Sequence, residues 1–304
     1  MIVVVAPGQG SQTPGFLEPW VAEPKFREHL QRISDSIEID LIKHGTTSDA
    51  DTIRDTAIAQ PLIVAAGLLA LQGLIADHDR LKVHATAGHS VGEVTAAVVA
   101  GILGEEEALR FVKQRSIGMA EAAKLHKTGM SAVIGGEESV LLAKLEGLGL
   151  EPANFNGGGQ IVVAGELSAL GKLSDDPPAG SRVIPLQVAG AFHTRFMKPA
   201  IEPLQEVAAS IWAADPTLQI WTNRSGDLVE SGTTFVDLMV GQVSSPVRWD
   251  LTMASMEKAG VTGIIELAPA GALVGLAKRA LRGIPSVAIK TPDDLAAAHE
   301  MMNG

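Results

Sequence analysis

The sequence predicts an α/β fold: a parallel-sheet core with a small α+β unit inserted in it. Two observations lead there. Short β-branched runs end in tight turns and pass toward helices, as at Ile2–Ala6 before Pro7-Gly8 and at residues 83–87 before Gly88-His89-Ser90-Val91-Gly92. Strand, tight turn and helix repeated in this way indicate a parallel sheet with helical crossovers. Near Lys127 the character changes, and short strands and helices then alternate closely through Val188.

In chain order, residues 2–6 read as a buried strand, and Gly8, Gly10, Pro14 and Gly15 make the next segment a loop. Helical patterns follow through the thirties and over about 61–76, before the strand at 83–87. Residues 91–103 are small and apolar, a helix buried nearly all round, and 105–123 form a helix with acidic residues in its first turn. The inserted unit has a strand at 130–134, a helix at 137–148, a further strand at 152–156, a strand at 160–164, a helix at 168–173 and a strand at 183–188. That order is βαββαβ, with Asp175-Asp176-Pro177-Pro178 in a loop inside it. The α/β character resumes with a helix around 199–213 and strands at 219–222 and 263–267.

The chain has 304 residues, formal net charge -11 and no cysteine. The last fact excludes disulfides, iron–sulfur centres, thiolate zinc sites and a cysteine nucleophile. The acidic balance argues against nucleic acid and against anionic membranes as partners. Met1 to Val5 has no basic n-region, so a cytoplasmic protein is expected. The charge-free stretch at 56–76 is just long enough to span a bilayer, but Pro61, Gly67, Gln72 and Gly73 interrupt it, which favours a helix buried in a core.

Gly88-His89-Ser90-Val91-Gly92 fits G-x-S-x-G between a strand and a helix. The spacing has a mechanical reason: a sharp turn lifts the hydroxyl clear of the sheet, and the glycines let the backbone pack closely. The helix that follows offers N-terminal amides, Val91's among them, to a developing oxyanion. The pattern alone is weak, and the strand–turn–helix context is what makes Ser90 a candidate nucleophile.

A serine needs a base, and eight histidines compete for that role. His89 adjoins Ser90, where neighbours in a turn point apart, so packing is its expected role. His193, in Gly190-Ala191-Phe192-His193-Thr194, follows a predicted strand, where functional loops collect. By itself it reads more readily as a hydrogen-bonded structural residue than as a base. No metal-ligand spacing occurs. Arg115 falls in the middle of the apolar face formed by Ala108, Phe111, Val112, Met119 and Ala122. A buried guanidinium needs an anion or several acceptors, and periodicity leaves open a core ion pair or a substrate carboxylate. Pro7-Gly8-Gln9-Gly10-Ser11-Gln12 lacks the lysine of a phosphate loop, and Asn156-Gly157-Gly158-Gly159-Gln160 reads as a turn of the inserted unit.

Taken together, these segments resemble the malonyl-CoA:acyl-carrier-protein transacylases of fatty-acid synthesis. The resemblance covers nearly the whole chain. It rests on Pro7 to Gln12, Gln60-Pro61, Gly88 to Glu93, Arg115 twenty-five residues after Ser90, Asn154-Phe155-Asn156, Gly190 to Thr194, Gln242, Pro246-Val247-Arg248-Trp249 and Ala268-Pro269-Ala270-Gly271. It implies a hydrolase-like core, residues 1–127 and 189–304, with an inserted ferredoxin-like subdomain at 128–188. It also implies Ser90 as acylated nucleophile, His193 as base, the Gln242 main-chain carbonyl orienting His193, and the Gln9 and Val91 amides as oxyanion hole. Arg115 would hold the malonyl carboxylate, with Phe192, His89 and Asn156 beside the substrate.

Phe192 and the small Val91 match malonyl-selective members of the family, while Ala270 stands where glycine is common. The resemblance further implies no cofactor, malonyl-CoA and an acyl carrier protein bearing phosphopantetheine as partners, and a monomer. A carrier of that kind is acidic, which points to Arg195, Lys198, Arg248, Lys278, Arg279 and Arg282 as docking candidates. Acyltransferases of polyketide or malonate-decarboxylase systems share most of these motifs and stay open. An ordinary esterase would need Asp175 or Asp176 as its acid, in an unsuitable Pro-rich loop. A non-catalytic binding module would have no need of Ser90, His193 and Arg115 together.

Overall fold

The structure, a computed structural model, describes residues 1–75 and 82–304; the expected helix end at Ala76 lies outside the described residues. The strands are β1 (Ile2–Ala6), β2 (Ala85–Gly88), β3 (Thr128–Gly135), β4 (Glu151–Gly157), β5 (Gln160–Glu166), β6 (Ser181–Leu186), β7 (Gln219–Trp221), β8 (Val247–Arg248), β9 (Gly263–Glu266) and β10 (Ser286–Ala288). They form two sheets, ordered β10-β9-β1-β2-β7 and β6-β3-β5-β4-β8.

Every pairing in the first sheet is parallel. Its period-2 side chains divide between two layers, which is why its strands are apolar on both faces. Val4 and Ile265 enter the larger core with the Thr56–Ile75 helix, whereas Val3, Val5, Ala85, Ala87 and Ile264 meet Met253 and Leu273 on the other side. The Thr56–Ile75 helix passes the length and hydropathy test for a bilayer span, yet 83% of the qualifying stretch is buried inside the protein. Its apolar surface is therefore used by the core. Pro61 removes one helical donor, and the hydroxyl of Ser116 lies 3.5 Å from the Ala57 carbonyl so freed.

In the second sheet β3, β4, β5 and β6 pair antiparallel in the order β6-β3-β5-β4. With helices Glu138–Leu148 and Leu167–Asp175, this is the ferredoxin-like arrangement expected of βαββαβ. Pro185 lies on β6, an edge strand, where a missing N–H costs no ladder bond. β8, from the other part of the chain, pairs parallel with β4 and ties the two sheets together. The molecule is thus a hydrolase-like α/β core with a small ferredoxin-like subdomain.

Several boundaries differ from the sequence reading. β2 begins at Ala85 and runs to Gly88, two residues later than expected at its start, although Val83 is still buried. The helix expected to reach Leu103 spans Gly92–Val99, and Gly101 then turns the chain at φ 78°. The helix expected around 199–213 spans Ile201–Ala209, after a 3-10 turn at Arg195–Ala200. Asn156 belongs to strand β4 and not to a turn; the turn is Gly158-Gly159. β8, β10 and helices Gly232–Gln242, Trp249–Lys258, Ala272–Ala280 and Leu295–Asn303 had no counterpart in the sequence reading.

Candidate active site

Ser90 sits at the carboxyl end of β2 with φ 55°, directly before helix Gly92–Val99. A left-handed backbone at a non-glycine residue is strained, and the neighbouring packing holds it there. A Cβ on Gly88 would lie 2.0 Å from the Gly92 carbonyl carbon, and one on Gly92 would lie 2.1 Å from the Ala6 carbonyl oxygen. These overlaps involve backbone on both sides, so neither glycine can be replaced without opening the elbow. Gly92→Ala is expected to cost at least about 3 kcal/mol, lowering the melting temperature by about 6–12 °C. Thermal denaturation followed by circular dichroism checks this; an unchanged melting temperature would contradict the packing argument.

Ser90 Oγ lies 2.7 Å from His193 Nε2, and His193 Nδ1 lies 2.9 Å from the Gln242 carbonyl oxygen. A carbonyl only accepts, so Nδ1 carries the proton and Nε2 keeps a lone pair for the serine hydroxyl. His193 also has a left-handed backbone, φ 61°, and its N–H donates to the Val243 carbonyl at 3.1 Å. Burial, and then the Arg115 charge, push its pKa down to about 3. The ring is therefore neutral at physiological pH, in the tautomer a proton acceptor requires.

Arg115 is 1% exposed. Its Nη1 donates to Gln60 Oε1 at 2.6 Å and its Nη2 to Gln242 Oε1 at 2.7 Å, with Ser90 Oγ 3.3 Å from Nη2. It makes no ion pair among the described residues. A direct core ion pair is therefore not formed: two neutral amide oxygens hold the guanidinium, and the buried Glu93 carboxylate acts on it only across the Gln242 amide. Burial lowers its pKa to about 10, still well above neutrality.

A cavity of about 330 Å³ opens over Ser90. Gln9, His89, Ser90, Val91, Phe192 and His193 line it from the core, and Met130, Ala132, Asn156 and Val162 from the second sheet. The backbone N–H groups of Gln9 and Val91 donate to no partner among the described residues. They are free to receive an anion. His89 does more than pack against Trp249, 5.7 Å away ring to ring: its Nε2 lies 3.0 Å from Asn156 Oδ1. The sequence-expected site residues thus converge on one cavity, with Arg115 and Gln242 just behind its wall.

Three further residues complete the network without having been assigned a role from sequence. Asn223 Oδ1 accepts from the Ser90 N–H at 2.7 Å, and Asn223 Nδ2 donates to the Gly88 carbonyl at 2.6 Å. Glu93 is buried and accepts from the Asn223 N–H at 2.6 Å and from Gln242 Nε2. Gln60 supplies Arg115 with an acceptor. Glu93 was discoverable by the reasoning used for Arg115, as the lone charge in a helix buried all round; Asn223 follows β7 beside β2, at the strand ends where α/β sites form.

Of the docking candidates, Arg195 pairs with Glu151, and Arg248 pairs with Asp250 at 2.7 Å and stacks over Phe155. Their charges are met within the protein. Arg279 lines the cavity, while Lys278 is exposed beside it on the same helix.

Comparison with known proteins follows the same lines. A model of the acyl transferase domain family matches residues 3–293. The malonyl CoA-acyl carrier protein transacylase of Mycobacterium tuberculosis H37Rv is 48% identical over 97% of this chain and 98% of its own length. A crystal structure of MCAT from Mycobacterium tuberculosis superposes with a TM-score of 0.93, covering 98% of this chain and 99% of the other. A malonyl-transacylase in complex with a type II PKS acyl-carrier protein superposes with a TM-score of 0.92 at 28% identity, covering 99% of each chain. By the family model that matches nearly its whole length and by its 48% identity to a full-length relative, the chain belongs to the malonyl CoA-acyl carrier protein transacylase family.

Proposed function

We propose that this acyltransferase moves a malonyl group from malonyl-CoA to the phosphopantetheine thiol of an acyl carrier protein, through an ester on Ser90. The observation that carries the reading is Arg115, a buried guanidinium with no directly paired carboxylate among the described residues, 3.3 Å from Ser90 Oγ. An acyl group on that oxygen brings its distal carboxylate beside a waiting cation. The family names and the carrier-protein complex of the 28%-identical relative support the choice of donor and acceptor.

In this reading His193 Nε2 takes the Ser90 proton as Oγ attacks the thioester carbonyl. The oxyanion that forms is received by the Gln9 and Val91 amides, where each donor is worth about 2.7–4 kcal/mol. As the intermediate collapses the carbon–sulfur bond breaks, and His193 returns the proton to the departing CoA thiolate. The carrier's thiol then reverses the sequence, giving its proton to His193 and leaving Ser90 free. Nucleophile, base and oxyanion donors all come from the chain, so the chemistry needs no resident cofactor. All come from one chain too, so a monomer suffices, in the cytoplasm where such thioesters would be met. Residues 128–188 are the inserted subdomain between core segments 1–127 and 189–304, and Met130, Ala132, Asn156 and Val162 roof the ester against water.

Intact-mass spectrometry after mixing with malonyl-CoA tests the reading. A single malonyl adduct is expected on Ser90, removed by holo carrier protein and absent in Ser90→Ala. No adduct in the wild type, or one that survives Ser90→Ala, would overturn it.

A further inference from the structure

Beyond the groups that meet the substrate, one buried carboxylate organises those that do. Glu93 lies one turn beyond Ser90 with 1% of its surface exposed. Its Oε1 accepts from the Asn223 backbone N–H at 2.6 Å, and its Oε2 accepts from the Gln242 side-chain amide. Gln242 Nε2 also donates to the Ser90 carbonyl at 3.1 Å, and the Gln242 Oε1 so directed accepts from Arg115 at 2.7 Å. The amide can be placed in only one sense: three acceptors (Glu93, the Ser90 carbonyl and Asn223 Oδ1) surround its nitrogen, and a guanidinium faces its oxygen.

We infer that Glu93 is a positioning residue for acyl-group selectivity: it fixes the Gln242 amide so that Oε1 faces Arg115 and keeps the guanidinium beside Ser90. The inference rests on the malonyl-transfer reading above. Its chemistry is that of two acceptor oxygens used at once. A carboxylate accepts at both; a carboxamide accepts at one and donates at the other. In Glu93→Gln the Asn223 N–H, a backbone group that cannot turn over, claims the single oxygen. The new NH₂ then meets the NH₂ of Gln242. Relief requires Gln242 to flip, which aims its NH₂ at the Arg115 guanidinium and its oxygen at the Ser90 carbonyl. Arg115 thereby loses one of its two amide acceptors, and its hold on a carboxylate weakens. Burial pushes the Glu93 pKa up to about 7, which shows how little solvent assists this charge.

The test is the selectivity of Ser90 acylation, read as kcat/KM for malonyl-CoA against acetyl-CoA. Acetyl-CoA lacks the carboxylate and so does not report on the contact between Arg115 and that group. Glu93→Gln is expected to lower the malonyl-to-acetyl ratio by about 10- to 100-fold, mostly through KM for malonyl-CoA. Gln242→Met keeps the main-chain carbonyl that orients His193 and removes the amide, so it is expected to shift the ratio in the same sense. The double variant should shift it no further than Gln242→Met alone, because Glu93 acts through that amide.

Equal losses for both substrates, an unchanged ratio in Glu93→Gln, or additive effects in the double variant would overturn the inference. If Glu93→Gln does not fold, an unchanged ratio in Gln242→Met overturns it just as well. Failure of the wild-type protein to form a malonyl adduct would instead remove the functional reading beneath it.

Discussion

His193→Ala is expected to slow acylation of Ser90 by about 10³- to 10⁴-fold while leaving malonyl-CoA binding nearly intact. The expectation rests on position: Nε2 is 2.7 Å from Ser90 Oγ, and no other histidine bonds to that oxygen among the described residues. Loss of the ring removes the proton acceptor but leaves the Gln9 and Val91 amides, so residual activity should remain measurable. A pH profile adds a second readout. Burial and Arg115 push His193 down to about 3, so its base form persists far below the ordinary histidine range.

The acidic limb of kcat/KM should therefore fall below about pH 5. The groups packed around His193 are Arg115, which stays cationic, and His89, which burial also lowers; Glu93, at about 7, sits one amide further away. A limb near pH 7 that persists in Glu93→Gln would belong to His193 and contradict the assignment. Stability carries the same sign. Between pH 6.5 and about 3 the unfolded state binds the proton and the folded state does not. Stability from this group is lost as pH falls through that window, and His193→Ala should lack that part of the acid loss. Stopped-flow acylation and urea denaturation across pH measure the two effects.

How much of this was legible in the sequence depends on the range of the signal. Ser90 was, because the elbow's glycines are dictated by contacts within five residues and by one neighbouring strand. Arg115 was, because a charge inside an apolar helix face is a local contradiction that demands a partner. Its partner was not: Gln60 and Gln242 lie 55 and 127 residues away in the chain. His193 and the Gln242 carbonyl became visible through resemblance, since a lone histidine in a loop has no periodicity to break. The βαββαβ unit was legible from alternating hydrophobic runs. β8 was not, because two residues carry no pattern and their pairing with β4 is set by tertiary packing alone. Asn223 escaped for a similar reason. Its work is to hold the Ser90 N–H and the Gly88 carbonyl across more than 130 residues of chain, which no local rule encodes.

Arg115→Ala should divide the substrates more sharply than any other single change. Its Nη1 and Nη2 are held by neutral amide oxygens at 2.6 and 2.7 Å, and no carboxylate of the protein pairs with it among the described residues. The charge is nevertheless kept, because even after burial its pKa is about 10. A cation buried at this depth without a direct counterion is costly to the folded protein, and a carboxylate arriving on the Ser90 ester would relieve that cost. Substitution is thus expected to lower kcat/KM for malonyl-CoA by about 10²- to 10⁴-fold, the worth of one or two charge-assisted hydrogen bonds in a dry site. Acetyl-CoA makes neither bond, so its transfer should fall much less and the preference should swing toward it. Side-by-side acylation kinetics with both thioesters, and melting temperatures of both proteins, make the comparison. Equal losses for the two substrates would mean that Arg115 merely supports the elbow, through Gln242 and Ser90. A swing toward acetyl-CoA, at whatever melting temperature, would mean that the carboxylate is what the buried guanidinium is there to meet.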